Sequence, residues 1–455
     1  MNKNPANPLE SDPNDDRVNW MFLDLNSFFA SCEQQMHPEL RGKPVAVVPG
    51  MVDTTCCIAA SYEAKAFGVK TGTLVGDAKK MCPGIILIEA RHRPYVEFHH
   101  AIIKAFETVL PVDQVMSIDE FAAPLIGRQR EPAAALELAR QAKAAIARDV
   151  GACLTSSIGI APNRFLAKVA SDMQKPNGLT LIRRRDLPHC LHRLQLRDIC
   201  GIGPGMETRL HNVGITTMEE LCAAPPYLLK AAWGGVGGLR FHAYLHGADI
   251  DYPQTQTRCI GHQHVLEPEL RTPEGAHNYL RYLLMKTAQR LREKGFYARQ
   301  LSIQVKWMRP GWNAPDDGVR REDFSLQFAE TQSTVKLLKY LTNIWQQVPK
   351  RKPLRIGVLL SDLIPAHSHQ PDLFEVQEGK QGEIQQEKLL HSLDHINQRY
   401  GTGTIGFGVI KKSFVGPSAK GGALDSKISF SRVPALSEFG QYGRDNRALA
   451  AIIGS

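Results

Sequence analysis

The sequence predicts a multidomain α+β protein. Three observations carry this. At 455 residues the chain is long enough for three or four domains at about 100–200 residues each. Short helical and strand periodicities alternate along most of it. A polar stretch, 251–258, separates two regions that each read as strands interleaved with helices, so a boundary belongs near 251–260. Hydrophobic residues make up 43% of the chain and charged residues 22%, enough apolar material for real cores and too much for wholesale disorder.

In order, 19–24 is an apolar run that reads as a buried strand ending on Asp24, and 26–36 has a helical pattern. A second apolar strand is expected at 44–49, and a short helix at 61–67 closes on Gly68. An apolar period near 3.6 predicts a helix over 93–110. Residues 114–121 then alternate as a strand does, which puts Asp119 and Glu120 mid-strand. A helix over 133–150, a strand over 153–160 and a helix over 163–172 follow, an order that fits a β-α-β-β-α-β sheet with helices on one side.

Residues 196–221 hold the turn Gly201-Ile202-Gly203-Pro204-Gly205 between two helical patterns. Past the polar linker, strands are expected at 262–266, 300–307, 324–328 and 353–360, with helices at 274–294 and 334–348, forming another α+β unit.

Lys and Arg number 55 against 46 Asp and Glu, a net charge of +9 that favours polyanionic partners. Residues 1–16 are polar and acidic, lack the charged-then-apolar pattern of a signal peptide and read as a disordered arm. No run approaches the roughly 18 apolar residues of a membrane span, so a soluble cytoplasmic protein is expected, with no membrane partner. The nine cysteines show no paired C-x-x-C spacing, which argues against zinc and a disulfide framework. Cys32, Cys56 and Cys57 lie in apolar surroundings and read as small buried side chains.

Three acids stand out: Asp24 at a strand end and the pair Asp119-Glu120. Magnesium takes hard oxygen ligands and is often held by a few carboxylates, so three acids from two strands suffice for it. Two such ions about 3.5–4 Å apart serve in-line transfer at phosphorus. On a regular strand, however, adjacent side chains face opposite ways, and only a bend or twist brings both acids to the same ions.

The run Asp24-Leu25-Asn26-Ser27-Phe28-Phe29-Ala30-Ser31-Cys32-Glu33 resembles the first palm motif of the Y-family DNA polymerases of UmuC/DinB type, and Ser117-Ile118-Asp119-Glu120 resembles the second. Tyr62-Glu63-Ala64-Lys65-Ala66-Phe67-Gly68-Val69 is similar to the family's finger motif. Residues 157–168 and 170–178, ending Lys175-Pro176-Asn177-Gly178, resemble its final palm segment. Four motifs in order, with the resemblance running over roughly 18–400, make a chance match improbable.

The resemblance implies a right-hand polymerase. Palm is expected at 18–27 and 91–181, small fingers at 28–90, a helix-hairpin-helix thumb at 182–250, a linker at 251–260 and a little finger at 261–364. An N-terminal arm, 1–17, and a clamp-binding, UmuC-like extension, 365–455, flank them. By the same resemblance Asp24, Asp119 and Glu120, with the Leu25 carbonyl, bind two magnesium ions, for which manganese can substitute. Phe29, beside Phe28, is the steric gate beneath the incoming sugar. Tyr62, Lys65 and Lys175 contact the triphosphate, where donors and cations neutralise developing charge. Lys65 stands where arginine is frequent and Ala59 where a hydroxyl is frequent, departures that imply fewer phosphate contacts, while Asn26 stands where an acid is usual in the DinB branch and resembles the UmuC branch in being Asn.

Gly201, Gly203 and Gly205 take the thumb's place for sequence-independent contact with duplex phosphates. Lys306, Arg309, Arg320 and Arg321 are candidate phosphate contacts in the little finger. Gln370-Pro371-Asp372-Leu373-Phe374 resembles a bacterial sliding-clamp peptide, with Gln370, Leu373 and Phe374 as its anchors. Residues 383–400 read as an amphipathic helix, with a Gly, Ser and Lys-rich tail beyond, and a UmuD-like accessory subunit is an implied partner. The expected activity is low-fidelity, template-directed DNA synthesis past damage, from primer-template DNA and deoxynucleoside triphosphates. A non-catalytic clamp-binding adaptor is the alternative of another class; RNA synthesis or nuclease action by the same metals is set against by Phe29.

Overall fold

The computed structural model describes residues 16–369 apart from 54, 253–255 and 309–320, together with 389, 390, 392–397, 399, 405 and 433. Chain order runs β1 (Trp20–Leu25), α1 (Phe28–Met36), β2 (Val45–Val48), β3 (Ala59–Ala60), α2 (Tyr62–Ala66), α3 (Val75–Met81), β4 (Ile86–Glu89), α4 (His92–Glu107), β5 (Gln114–Val115), β6 (Glu120–Pro124), α5 (Pro132–Asp149), β7 (Ser156–Ala161), α6 (Arg164–Met173) and β8 (Leu179–Leu181). Helices α7 (Pro204–Asn212), α8 (Met218–Ala223), α9 (Pro226–Trp233) and α10 (Val236–Leu245) follow. Then come β9 (Cys259–Val265), α11 (Pro273–Glu293), β10 (Phe296–Trp307), β11 (Arg321–Thr331), α12 (Thr334–Trp345) and β12 (Pro353–Pro365). Two compact units result, one running to Tyr252 and the other made of residues beyond it.

In the first unit β1 is the middle strand of a five-stranded sheet, β5-β6-β1-β7-β8, which is why it is apolar on both faces until Asp24. The first four strands of this sheet in chain order, β1, β5, β6 and β7, lie β5-β6-β1-β7, the expected β-α-β-β-α-β arrangement extended by α6 and β8. The expectation of helices on one side fails. Leu23 pairs with Phe121 and Phe22 with Ala122, so these two pairs face opposite ways. Phe121 meets Phe106 of α4 edge to face, whereas Phe22 and Ala122 join Leu166, Ala167 and Ala170 of α6 in a core shared with α7 to α10. A doubly covered sheet needs apolar residues on both faces, and the unbroken run Met21-Phe22-Leu23 supplies them.

Gly159 lets α6 sit directly on β7: a Cβ there would stand 2.0 Å from the Ala167 carbonyl oxygen. Between β1 and α4 lies a separate small sheet, β3-β2-β4, with its own core of Ala46, Val48, Ala64, Val69, Val75 and Ala78. Only β2 and α2 of that sub-structure carried a readable pattern; β3 has two residues, and β4 is half-buried over Ile86, Leu87 and Ile88 and exposed at Glu89. Cys32 and Cys57 are buried as expected and Cys56 is half-buried. The turn at Gly201 is preceded by a 3-10 turn, Leu196–Asp198, instead of the expected α-helix, and followed by α7.

The second unit is a four-stranded antiparallel sheet, β11-β10-β12-β9, with α11 and α12 on one face. Leu301, Ile303 and Val305 of β10 are fully buried and alternate with half-exposed Ser302, Gln304 and Lys306. Its element order is again β-α-β-β-α-β, yet β12 enters between β9 and β10, a different sheet order from the first unit's. No helix among the described residues is long and apolar enough to cross a membrane.

Candidate active site

Asp24 sits at the C-terminal end of β1 and only 5% of it is exposed. It pairs in register with Glu120 on one side and Ser157 on the other. Antiparallel partners point to the same face, so Asp24 and Glu120 both turn toward α6. The acid pair is not mid-strand as expected. The peptide N–H groups of Met116 and Ser117 both donate to the Glu120 carbonyl, at 2.9 and 3.1 Å, closing a tight bend between β5 and β6. Glu120 is therefore the first residue of β6, and Asp119 lies in the bend with its carbonyl accepting from Leu25 N–H at 2.9 Å. That bend removes the strand-alternation problem: all three carboxylates line one cleft of about 280 Å³.

The cleft also takes in Leu25, Asn26, Ser27, Phe28, Phe29, Ala59, Tyr62, Lys65 and Lys175, so every palm and finger residue singled out in the sequence reaches it. Ser27 holds a left-handed backbone, φ 48°, at the turn from β1 into α1 and sends Phe29 to the cleft wall. Ser61 caps α2, accepting from Ala64 N–H, and thereby sets Tyr62 and Lys65 on the first turn. The Lys65 ammonium donates to Ser27 Oγ at 2.8 Å and lies 4.3 Å from the Tyr62 ring centroid. Burial, with Lys175 as a like charge nearby, lowers the Lys65 pKa, while Asp24 opposes both.

Two further site residues, Lys168 and Asp172, escaped the sequence reading. Lys168 of α6 donates to Asp24 Oδ2 at 2.6 Å and Glu120 Oε1 at 2.7 Å and pairs with Asp172 at 3.2 Å. Lys175 bridges Asp24 Oδ1 and Asp172 Oδ1, each at 2.7 Å. Their signal was present: Lys168, Asp172 and Lys175 are spaced by four and three residues, one face of a helix. Burial pushes the Asp24 carboxyl up, but the two ammoniums outweigh it and hold Asp24 below the usual carboxylate value. Burial raises Asp119 and Glu120, the latter against the pull of Lys168. Burial also works against the Lys168 ammonium, but Asp24, Glu120 and Asp172 overcome it and keep it charged.

Asn26, read as a departure from an acidic position, is a buried bracket. Its Nδ2 donates to Ser157 Oγ at 2.9 Å and its Oδ1 accepts from Asn177 N–H at 2.8 Å, tying the Lys175 loop to the sheet. A carboxylate could accept but not donate there. Gly178 completes that loop, where a Cβ would stand 1.7 Å from the Gln174 carbonyl oxygen.

The carboxylates are hard oxygen donors, which suits a divalent cation of the magnesium type. Among the described residues no three acids, histidines or cysteines already stand as a cluster able to hold a cation. Lys168 and Lys175 occupy Asp24 and Glu120, so the donors fit a cation whose entry displaces ammonium contacts. Elsewhere in the unit, Gly203 caps α7, Pro204 is its first residue, and Gly201 takes φ +94°. No atom lies within 4 Å of where a Cβ would stand on Gly203 or Gly205, leaving that helix end open. In the second unit Lys306 is in register with Arg321 on β11 and Arg355 on β12. Arg321 pairs with Asp323 at 2.9 Å. Arg309, Arg320, Gln370, Leu373 and Phe374, and most of 383–400, lie outside the described residues.

A central strand delivering an acid beside a second acid pair, in a cleft ringed by an aromatic, a tyrosine and lysines, defines a nucleotidyl-transferase type of site. The impB/mucB/samB family model matches residues 23–172, and the model of that family's C-terminal domain matches 257–373. Over 395 residues the chain is 34% identical to DNA polymerase IV of Moorella thermoacetica, covering 85% of this chain and 94% of that one. It is 30% identical to DNA polymerase IV 1 of Bacillus subtilis, covering 86% and 92%. A solved Y-family DNA polymerase chimera, 23% identical, superposes with a TM-score of 0.62 over 76% of this chain and 100% of that one. The chain belongs to the impB/mucB/samB family, the Y-family DNA polymerases of DinB/UmuC type, and is a DNA-directed DNA polymerase of the translesion class. It uses DNA and nucleotide substrates and a divalent-metal cofactor, as its family does.

Proposed function

We propose that the cleft performs two-metal nucleotidyl transfer during damage tolerance in the bacterial cytoplasm. The convergence of Asp24, Asp119 and Glu120 at one end of the central strands carries this reading. These three acids, with the Leu25 carbonyl, hold two magnesium ions, or manganese in their place. When bound, the ions activate the primer hydroxyl and neutralise the triphosphate. Lys65, Lys175 and the Tyr62 hydroxyl, at the finger side of the cleft, orient the phosphates and absorb charge as the bond to the leaving group breaks. Phe29, backed by Phe28, presents its ring where the sugar lies and excludes a 2′-hydroxyl. The small core of the β2–β4 region leaves little protein to close over a distorted base pair, which supports a tolerant, low-fidelity enzyme.

Palm, fingers and thumb correspond in this reading to 18–27 with 91–181, 28–90 and 182–250, and the little finger to 261–364. The open end of α7 at Gly201, Gly203 and Gly205 and the Lys306 row in the second unit bind duplex phosphates. Gln370, Leu373 and Phe374 engage the sliding clamp, and a UmuD-like subunit joins the C-terminal extension.

Magnesium-dependent extension of a primed template, compared with Asp119→Ala/Glu120→Ala, tests the assignment. Extension by the parent and none by the variant is expected. No extension by the parent, with or without clamp and accessory subunit, would overturn it in favour of a clamp-binding adaptor. Replacing Gln370, Leu373 and Phe374 with alanine is expected to remove clamp stimulation; loss of extension on bare primer-template would refute a clamp-specific role.

A further inference from the structure

Phe29 and Glu33 lie one turn apart on α1 and so share a helix face. Glu33 is an oddity there: a carboxylate with 0% exposure in a short helix beside the cleft. Its charge is answered from outside α1. Arg91, just before α4, donates to both carboxylate oxygens, and the Tyr95 hydroxyl donates to Glu33 Oε1 at 2.6 Å. His37 adds a ring nitrogen 3.1 Å from the same guanidinium. Tyr95 is itself fully buried, and its ring lies parallel to Phe29, centroids 4.3 Å apart and planes 15° apart. One residue of α4 is thus held at its hydroxyl by Glu33 and at its face by Phe29.

A Phe ring at a cleft wall is free to rotate about two side-chain bonds unless packing stops it. The half-buried Phe29 ring leans on Phe28 at 5.7 Å and 47°, a loose tilted contact, and on Tyr95 much more closely. Tyr95 cannot swing away without leaving a buried carboxylate short of a donor, which is expensive in a desolvated site. From this geometry we infer that Tyr95, anchored by Glu33 and Arg91, is a positioning residue that fixes the Phe29 ring and thereby sets the preference for deoxynucleotides over ribonucleotides. The inference rests on the gate role proposed for Phe29. It adds a second layer: the gate's stringency is stored in a hydroxyl–carboxylate link between α1 and α4 that never touches the substrate.

The test is the ratio of kcat/KM for a deoxynucleotide to that for the matching ribonucleotide, measured on full-length parent, Tyr95→Leu, Tyr95→Phe, Glu33→Gln and Phe29→Ala. General damage to folding lowers the numerator and the denominator of that ratio together and leaves it unchanged. Tyr95→Leu, which removes ring and hydroxyl, is expected to lower the ratio by at least about tenfold, the scale on which misfit of one small group is discriminated. Tyr95→Phe keeps the stacked ring without the link and should fall between Tyr95→Leu and the parent, as should Glu33→Gln. A ratio within about twofold of the parent in Tyr95→Leu and Tyr95→Phe, with the ratio collapsed in Phe29→Ala, would overturn the positioning role while leaving the gate intact. An unchanged ratio in Phe29→Ala would remove the gate itself, a separate result.

Discussion

At the scale of single residues, the proposed metal site sets ammonium against cation for the same oxygens. Lys168 holds Asp24 and Glu120 at 2.6 and 2.7 Å. A divalent ion at those carboxylates must break these contacts, and charge-assisted bonds of this kind are worth about 1.5–3 kcal/mol. Lys168→Ala is therefore expected to tighten manganese binding by about tenfold or more, read by calorimetric titration without DNA or nucleotide; equal or weaker binding would show that Lys168 does not compete. A second residue ties stability to pH. His99 is buried and its Nδ1 donates to the Ile118 carbonyl at 2.7 Å, and burial lowers its pKa to about 4 from 6.5. The unfolded chain binds that proton more readily, so the contribution is present above pH 6.5 and is lost as pH falls toward 4. Unfolding free energy should drop by up to about 1.4 kcal/mol per pH unit in that window, and His99→Phe should flatten that part of the profile in denaturant titrations.

At the scale of elements, packing of one helix on one strand and alignment of charges across a sheet carry the predictions. With Ala167 O 2.0 Å from a Cβ on residue 159, Gly159→Ala must push α6 off β7 and shift Lys168 with it. A loss of about 1–3 kcal/mol or more in chemical unfolding is expected, together with weaker nucleotide use; an unaltered midpoint would show that the contact is soft. Across the second unit's sheet, Lys306, Arg321 and Arg355 form a row over three strands. If that row meets phosphates, Lys306→Ala and Arg355→Ala should each lower the slope of log affinity against log salt by about 0.9 without altering sequence preference. Arg321, already paired with Asp323, should matter less. The sequence singled out Lys306 and Arg321 but not Arg355, because register places Lys306 and Arg355, 49 residues apart in the chain, side by side, and no local pattern encodes it.

At the scale of the whole molecule, the two compact units have separate cores, one built on Phe22, Leu166 and Leu245 and the other on Leu284, Ile303 and Leu341. Scanning calorimetry should resolve two transitions. Leu341→Ala, at a fully buried site, should lower only one of them, by about 2–5 kcal/mol of that unit's stability; a single transition shifted as a whole would show one cooperative molecule. The α+β class, the order of elements outside the β3–β4 region and the 3-10 turn before Gly201, and the placement of Asp24, Phe29, Tyr62, Lys65 and Lys175 by their motifs were legible in the chain. Periodicity and capping are local, and the motifs stand next to the elements that present them. What only the tertiary structure decided was non-local: the bend that turns Asp119 and Glu120 to one cleft, helices on both faces of the first sheet, the different sheet order of the second, the Lys168–Asp172 bracket and the Tyr95 brace behind Phe29. Each depends on which strand pairs with which and on which side chains then meet, and pairing free energy is shared among residues far apart in sequence, so no window of the chain contains it.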